Sequence, residues 1–258
     1  MSDDLSNEER SRYSRHMLLP EVGVLGQERW RAGRALVVGA GGIGSAALFY
    51  LTAAGVGHIG MVDGDAVELS NLQRQILHRM ADLGRPKVDS ARDALAALNP
   101  HIDLKTYALR LDAGNIGEAV KGYDLVMDAS DNFRTRFLVA DYCWLERIPL
   151  VSAAAAEFSG QLLVVDPAQG SPCYRCLLPE PPEDRQSGIL GAVAGVMGCL
   201  QAAETLKMLL GRASDLAHKL LAYDGLNCRF LVMPRFRAAD CPLCGNNRII
   251  GSATTSRA

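Results

Sequence analysis

Neither sign of charge prevails in this sequence, and it has no internal repeat and no long apolar run. Its 27 Lys and Arg face 29 Asp and Glu, a net charge of −2. No basic face is therefore expected, which argues against a nucleic-acid partner. The longest apolar stretch, residues 188–200, falls short of the roughly 20 residues that a spanning helix requires. It reads as a buried helix, with no membrane partner. The first ten residues are acidic and polar, unlike a secretory signal. Seven cysteines without an export signal point to thiols or metal ligands rather than disulfides, and to a cytoplasmic location. What the chain does have is 258 residues, 48% of them hydrophobic. That suffices for one large α/β domain or two small ones.

An apolar strand over residues 36–38 runs straight into Gly39-Ala40-Gly41-Gly42-Ile43-Gly44, and a helix over 45–54 follows. Glycines here let the chain turn tightly and let a phosphate approach the backbone. The free N–H groups of the helix start then face that anion. Gly39, Gly41 and Gly42 are the expected phosphate contacts. A second strand over 58–62 ends in Asp63-Gly64-Asp65, and Asp63 lies 19 positions beyond Gly44. That is about where a dinucleotide fold places its ribose-binding acid. To this point an NAD(P)-dependent oxidoreductase fits.

The next segment fits it less well. Ser70-Asn71-Leu72-Gln73-Arg74-Gln75 is dense in polar side chains, and Lys87 opens a helix over 88–98. A nucleoside triphosphate needs side-chain cations and a metal beyond what a helix N-terminus supplies. Arg74 and Lys87 qualify, although either also reads as an ordinary surface cation. Strands are expected over 101–109, 124–128, 149–153 and 161–165, with helices over 115–120 and 132–146. The short apolar strand 124–128 suits a parallel sheet. Asp131 follows its carboxyl end, where such sheets gather ligands. It reads as a Mg²⁺ carboxylate or as an N-cap.

From residue 166 the character changes. Cys173-Tyr174-Arg175-Cys176 and Cys241-Pro242-Leu243-Cys244 offer four thiolates in two pairs, suited to tetrahedral Zn²⁺. With every position filled by protein, the ion's role would be structural. Cys143, Cys199 and Cys228 lie among apolar neighbours and read as core residues. Residues 177–187 are Pro-rich and charged, a mobile loop by composition. A long helix over 188–210 begins with small residues, which permit close approach to a sheet or another subunit. Closing strands are expected over 220–224 and 229–234, and a disordered tail over 251–258. Residues 5–32 read as helical and charged. Within them Arg12-Tyr13-Ser14-Arg15-His16 alone looks like a solvated face.

Together these motifs resemble the ThiF/MoeB/HesA family, bacterial relatives of ubiquitin-activating enzymes that adenylylate sulfur-carrier proteins. The match runs from about Arg12 to Gly245. The glycine turn is unspecific, whereas the 70–75 run with two knuckles is highly specific. The resemblance implies a Rossmann-like α/β fold with a mostly parallel sheet, an antiparallel C-terminal extension and a four-cysteine structural zinc site. It implies one adenylation domain over 1–250, with a nucleotide-binding half (1–165) and a carrier-binding zinc half (166–250). The implied reaction is attack by the C-terminal glycine carboxylate of a small ubiquitin-like carrier on the α-phosphorus of ATP. A terminal carboxylate, with a pKa of about 3.3–3.7, is already ionised at neutral pH, so no general base is required.

By the same resemblance, Gly42 borders the phosphates and Asp63 holds the ribose. Asn71, Arg74 and Lys87 face the triphosphate, and Asp131 binds Mg²⁺. Asp65, Ser70, Gln73, Gln75 and Asn132 complete the expected nucleotide contacts. Arg15 corresponds to an arginine that reaches the neighbouring subunit's ATP, which implies a homodimer; a sulfur-donor protein is a further expected partner. Thiamine-pathway members commonly carry a cysteine in the loop after the first knuckle, and residues 177–187 contain none. Simple adenylylation is therefore favoured over covalent transfer at that position. Thiamine and molybdopterin pathways are not separated by these motifs. The competing readings are an NAD(P)-dependent oxidoreductase and a zinc-stabilised binding module without catalysis.

Overall fold

The computed structural model describes residues 5–183, 187–246 and 248–251. Alternation along the strands sorts its core into two layers. In β1 (Arg34–Val38), Ala35 and Val37 join Ile59 and Met61 of β2 (His58–Val62) and Leu125 and Met127 of β4 (Leu125–Asp128). Against them pack α4 (Gly42–Ala54) and α5 (Lys87–Leu98). Leu36, Val38 and Val126 point the other way, onto α6 (Ile116–Val120) and α7 (Phe133–Leu145). Strand segments buried on both faces carry no polar alternation, as in residues 35–38 and 125–127. Deleting a fully buried side chain such as Leu36 would cost about 2–5 kcal/mol.

Pairing is parallel from β3 (Asp103–Tyr107) through β2, β1 and β4 to β5 (Leu150–Ala156). It turns antiparallel through β6 (Ser159–Val165), β7 (Lys219–Asp224) and β8 (Arg229–Pro234). Among the described residues these eight strands form one sheet in the order β3-β2-β1-β4-β5-β6-β7-β8. A long helix, α8 (Gly191–Leu209), lays Ala194 and Met197 over Val151, Ala153, Leu162 and Val164 of β5 and β6. A Cβ on Gly198 would lie 2.2 Å from the carbonyl of Ile43. Gly198, in the body of this helix, thus permits close packing on α4.

Several elements differ from the sequence expectation. Residues 5–32 form three helices, α1 (Asn7–Arg12), α2 (Ser14–Met17) and α3 (Gly23–Ala32), and the last begins at a left-handed Gly23. Helix α8 starts three residues later than expected because residues 188–190 are drawn to Glu157. The Glu157 N–H donates to the Gly188 carbonyl (2.7 Å) and the Leu190 N–H to the Glu157 carbonyl (3.0 Å). The cap of α7 is Asn132, which accepts from the Thr135 N–H, so Asp131 does not cap it. Of the three cysteines assigned to the core, only Cys143 is buried. Cys199 lies on an exposed side of α8, and Cys228 sits in the β7–β8 turn with φ +52°, a conformation imposed by the hairpin. Residues 252–258, expected to be a disordered tail, lie outside the described residues.

Candidate active site

A cleft of about 1270 Å³ opens at the carboxyl ends of β1, β2, β4 and β5. On one side of the sheet the chain leaves β1 for α4, and on the other it leaves β4 for α7. Neighbouring strands whose connections diverge in this way open a crevice for ligands. The glycine turn forms its floor. Gly39 has φ +99°, and a Cβ there would meet the Ala129 carbonyl at 2.7 Å. A Cβ on Gly44 would lie 2.0 Å from the Gly39 carbonyl, so the turn closes on itself only with glycine at both positions. Gly41 is the N-cap of α4, and Gly41, Gly42 and Ile43 line the cleft. The unpaired N–H groups of a 13-residue helix therefore face it.

The turn is held from behind by two side chains. Asp63 accepts from the Ala40 N–H (2.8 Å) through one oxygen and from the Asp65 N–H (2.9 Å) through the other. It also lines the cleft, where the outer lone pairs remain for a hydroxyl. His78, which carried no motif in the sequence, is buried beneath Ala40. Its Nε2–H donates to the Ala40 carbonyl (3.0 Å), so Nδ1 accepts from the Ser90 hydroxyl (2.9 Å). Burial pushes the His78 pKa below the usual imidazole value, and Lys87 adds to that, against the pull of the Ala40 carbonyl. His78 therefore stays neutral.

Polar side chains converge from above. Ser70, Gln73, Arg74, Gln75 and Lys87 all line the cleft. Arg74 Nη1 donates to the Ser70 carbonyl (3.1 Å), which tethers the guanidinium at the rim. Lys87, 6% exposed at the first turn of α5, donates to Asp65 Oδ2 (3.1 Å). Arg110, which the sequence reading passed over, donates to Asp65 Oδ1 (2.7 Å) and lines the same cleft. Gln75 is buried, and its Oε1 has no hydrogen-bond partner among the described residues.

Not every expected residue reaches the cleft. Asn71 is turned inward, accepting from the Glu68 N–H (3.2 Å), and is not among the lining residues. Asn132 lines it but spends its Oδ1 on the α7 cap. Asp131 is exposed at the cleft wall, where the Asn132 amide touches it at 3.3 Å. Arg15 is exposed on α2 and is absent from the cleft of its own chain. Its neighbour Tyr13 is buried, its hydroxyl accepting from Asn99 Nδ2 (2.8 Å), so the Arg12–His16 cluster is docked rather than freely solvated.

Apart from the cleft floor the two knuckles meet. The sulfurs of Cys173, Cys176, Cys241 and Cys244 all lie within 4.8 Å of one another. Cys173 to Cys241 is 3.4 Å, and Cys176 to Cys244 is 3.3 Å. Tetrahedral Zn–S bonds of about 2.3 Å place sulfurs about 3.8 Å apart, so four thiolates at this spacing fit the ion. Burial opposes ionisation of Cys241, yet the N–H groups of Cys244 and Leu243 hold its pKa below the usual thiol value. Arg237 donates to the Cys244 carbonyl and so braces the second knuckle. Among the described residues no fifth ligand joins the four sulfurs. Leu178, Pro182, Ser187, Gly188 and Ile189 carry the chain from the first knuckle along the cleft. Residues 184–186 of that loop lie outside the described residues.

The chain matches the ThiF family over residues 13–245. It is similar to the SAMP-activating enzyme E1 of Haloferax volcanii, with 44% identity covering 96% of this chain and 94% of that protein. It is also similar to the sulfur carrier protein adenylyltransferase of Thermus thermophilus, with 45% identity and 93% coverage of each. The adenylyltransferase and sulfurtransferase MOCS3 of Culex quinquefasciatus is 46% identical over 94% of this chain, which spans only 57% of that longer protein. Among solved structures, E. coli MccB with ATP superposes with a TM-score of 0.81 at 25% identity, covering 91% of this chain and 75% of that one. The matched span takes in the glycine turn, the polar run 70–75, Lys87, Asp131 and both cysteine pairs; the chain belongs to the ThiF family.

Proposed function

We propose that this chain uses ATP to adenylylate the C-terminal glycine of a small ubiquitin-like sulfur-carrier protein. The observation that carries the reading is one cleft holding a helix N-terminus, Arg74 and Lys87 beside the end of an antiparallel sheet. The glycine-turn amides, Arg74 and Lys87 face the triphosphate, and Asp63 takes the ribose. Asp131 holds Mg²⁺, which when bound offsets phosphate charge. The carrier's carboxylate arrives ionised and attacks the α-phosphorus as pyrophosphate departs. The barrier lies in crowding negative charge around phosphorus, and preorganised cations lower it. The relatives named above as carrier-activating enzymes support this reading. An NAD(P)-dependent oxidoreductase is not favoured beside them.

The carrier enters along the antiparallel edge. Every residue of β8 is exposed, including Phe230, Leu231, Val232 and Met233, and among the described residues β8 pairs only with β7. The register Ser159↔Asp224 brings that end of the sheet beside Ser159 and Gly160 of the cleft, a path for an extended tail. Arg15 serves the neighbouring copy in a homodimer. Exposed Leu18, Leu19 and Leu25 beside it support a covered surface there. A sulfur-donor protein acts on the adenylate afterwards. The zinc cluster is structural.

ATP–pyrophosphate exchange, stimulated by Gly-Gly-terminated carriers and read out by the mass of the carrier adenylate, tests the reading. Exchange that depends on a carrier is expected. Silence with every small Gly-Gly protein of the host would overturn it.

A further inference from the structure

The turn that ends β2, Asp63-Gly64-Asp65, has an arginine seated across it. Arg110 lies three residues beyond the end of β3. A Cβ on Gly64 would stand 2.6 Å from the Arg110 Cγ and 3.0 Å from its backbone nitrogen, so a side chain at position 64 would displace the arginine. The Arg110 carbonyl accepts from Asn115 Nδ2 (2.9 Å), and its Nη2 donates to Asp65 Oδ1 (2.7 Å). The side chain is 84% exposed, yet stem, backbone and head are each held.

Asp65 stands between two cations. Its Oδ2 accepts from Lys87 Nζ (3.1 Å), and its carbonyl accepts from the Lys87 N–H (2.9 Å). Its own N–H donates to Asp63 Oδ1 (2.9 Å). The carboxylate thus lies between the acid assigned to the ribose and the lysine assigned to the phosphates, and all of these residues line one cleft. The Lys87 side chain is only 7% exposed, and an ammonium so placed needs a partner. Asp65 is that partner until a phosphate takes its place.

A triphosphate drawn to Lys87 takes the ammonium wholly or partly from Asp65. The carboxylate left behind faces the incoming anion, and like charges repel at that range. With Arg110 on its other oxygen, Asp65 stays neutralised. Without Arg110 it would hold Lys87 harder and repel the phosphates.

We infer that Arg110 is a positioning residue that frees Lys87 for the triphosphate by retaining Asp65 as its own partner. The inference rests on the proposed adenylylation. It makes Asp65 a counter-ion exchanged between two cations rather than a contact of the nucleotide itself.

The test is a double-mutant cycle on the full chain at about 0.15 M salt, where charges more than about 8 Å apart are largely screened. Arg110→Gln alters a mostly exposed side chain, so the fold should persist. It should raise the KM for ATP in carrier-dependent exchange, and the Kd for MgATP by calorimetry, about two- to fivefold, the range of one exposed ion pair. kcat should change less, since Lys87 meets the same phosphates once ATP is bound. In an Asp65→Asn background the same Arg110→Gln change should have no effect, because no carboxylate remains to be held. An equal loss in both backgrounds would mean that Arg110 touches the nucleotide directly, and no loss in either would mean that it takes no part; each overturns the inference. Absence of MgATP binding to the unaltered chain would instead count against adenylylation itself.

Discussion

Lys87 and Asp65 are paired across the cleft rim at 3.1 Å, with the lysine side chain 7% exposed and the aspartate 44% exposed. The cation assigned to the triphosphate is therefore already matched by a carboxylate that Arg110 also holds. A phosphate reaching Lys87 must compete with Asp65 or share the ammonium with it.

Asp65→Asn should separate these roles. The ligand-free variant loses the counter-charge of a nearly buried ammonium and should melt a few degrees lower, at roughly 2–4 °C per kcal/mol for a chain of this size. MgATP should then raise its Tm by more than it raises that of the unaltered chain, because the phosphates replace the missing charge. Equal MgATP shifts in the two proteins would contradict the pairing argument.

Arg15 and Lys87 should complement each other across subunits. Arg15→Ala and Lys87→Ala homodimers should each lose about 100-fold or more in exchange rate, the scale of one preorganised cation lost from a charge-stabilised transition state. Mixed and reassembled, they should recover part of the activity, because one heterodimer site retains both residues. No recovery at any mixing ratio removes the shared-site claim.

Metal removal should act on the fold. Stripping zinc with a chelator, or replacing Cys244 with Ser, should lower Tm and loosen the join between residues 173–176 and 241–244, because ligand binding energy at such a site is folding energy. Fully stripped protein with an intact melting temperature would rule out a structural role.

Acid should weaken the glycine turn through His78. Its pKa in the folded chain lies below the unfolded value of about 6.5, so between the two the unfolded chain holds the extra proton. The stability gained by burying a neutral ring is complete above about pH 6.5 and is lost as pH falls below it. His78→Gln keeps a donor for the Ala40 carbonyl and has nothing to titrate. Its Tm should fall less than that of the unaltered chain between about pH 7 and 5.5, and parallel profiles would refute the assignment.

Val232→Glu on the outer strand should raise KM for the carrier at least about tenfold and leave ATP-induced stabilisation unchanged. A charge on an apolar contact surface costs the interface but not the distant phosphates. An unaltered carrier KM would place docking elsewhere. A shift from dimer to monomer in the variant would instead make β8 a subunit contact.

Much of this architecture could be read from local pattern. Leu36, Val37 and Val38 announce a strand buried on both faces, and the glycines that follow announce what must approach it. The two knuckles announce each other because their spacing has few other uses. What was hidden depends on contacts far apart in the chain. His78 is a lone histidine until the fold sets it 3.0 Å from the carbonyl of Ala40. Asp128 and Arg136 read as strand end and helix interior, and only the parallel pairing that brings Ser152 alongside makes them a network. Cys199 and Cys228 misled because apolar neighbours in sequence do not fix which way a helix face or hairpin turn points.

The strands share unbroken hydrogen bonding from β3 to β8, across the change from parallel to antiparallel pairing. A sheet of this kind cannot fold about a hinge between its nucleotide end and its outer edge. The span from β8 to the glycine turn is thus a fixed length, against which the reach of a partner's tail would be measured. If the carrier docks on β8 as proposed, one whose flexible C-terminus is one or two residues too short would bind the edge and never deliver its carboxylate.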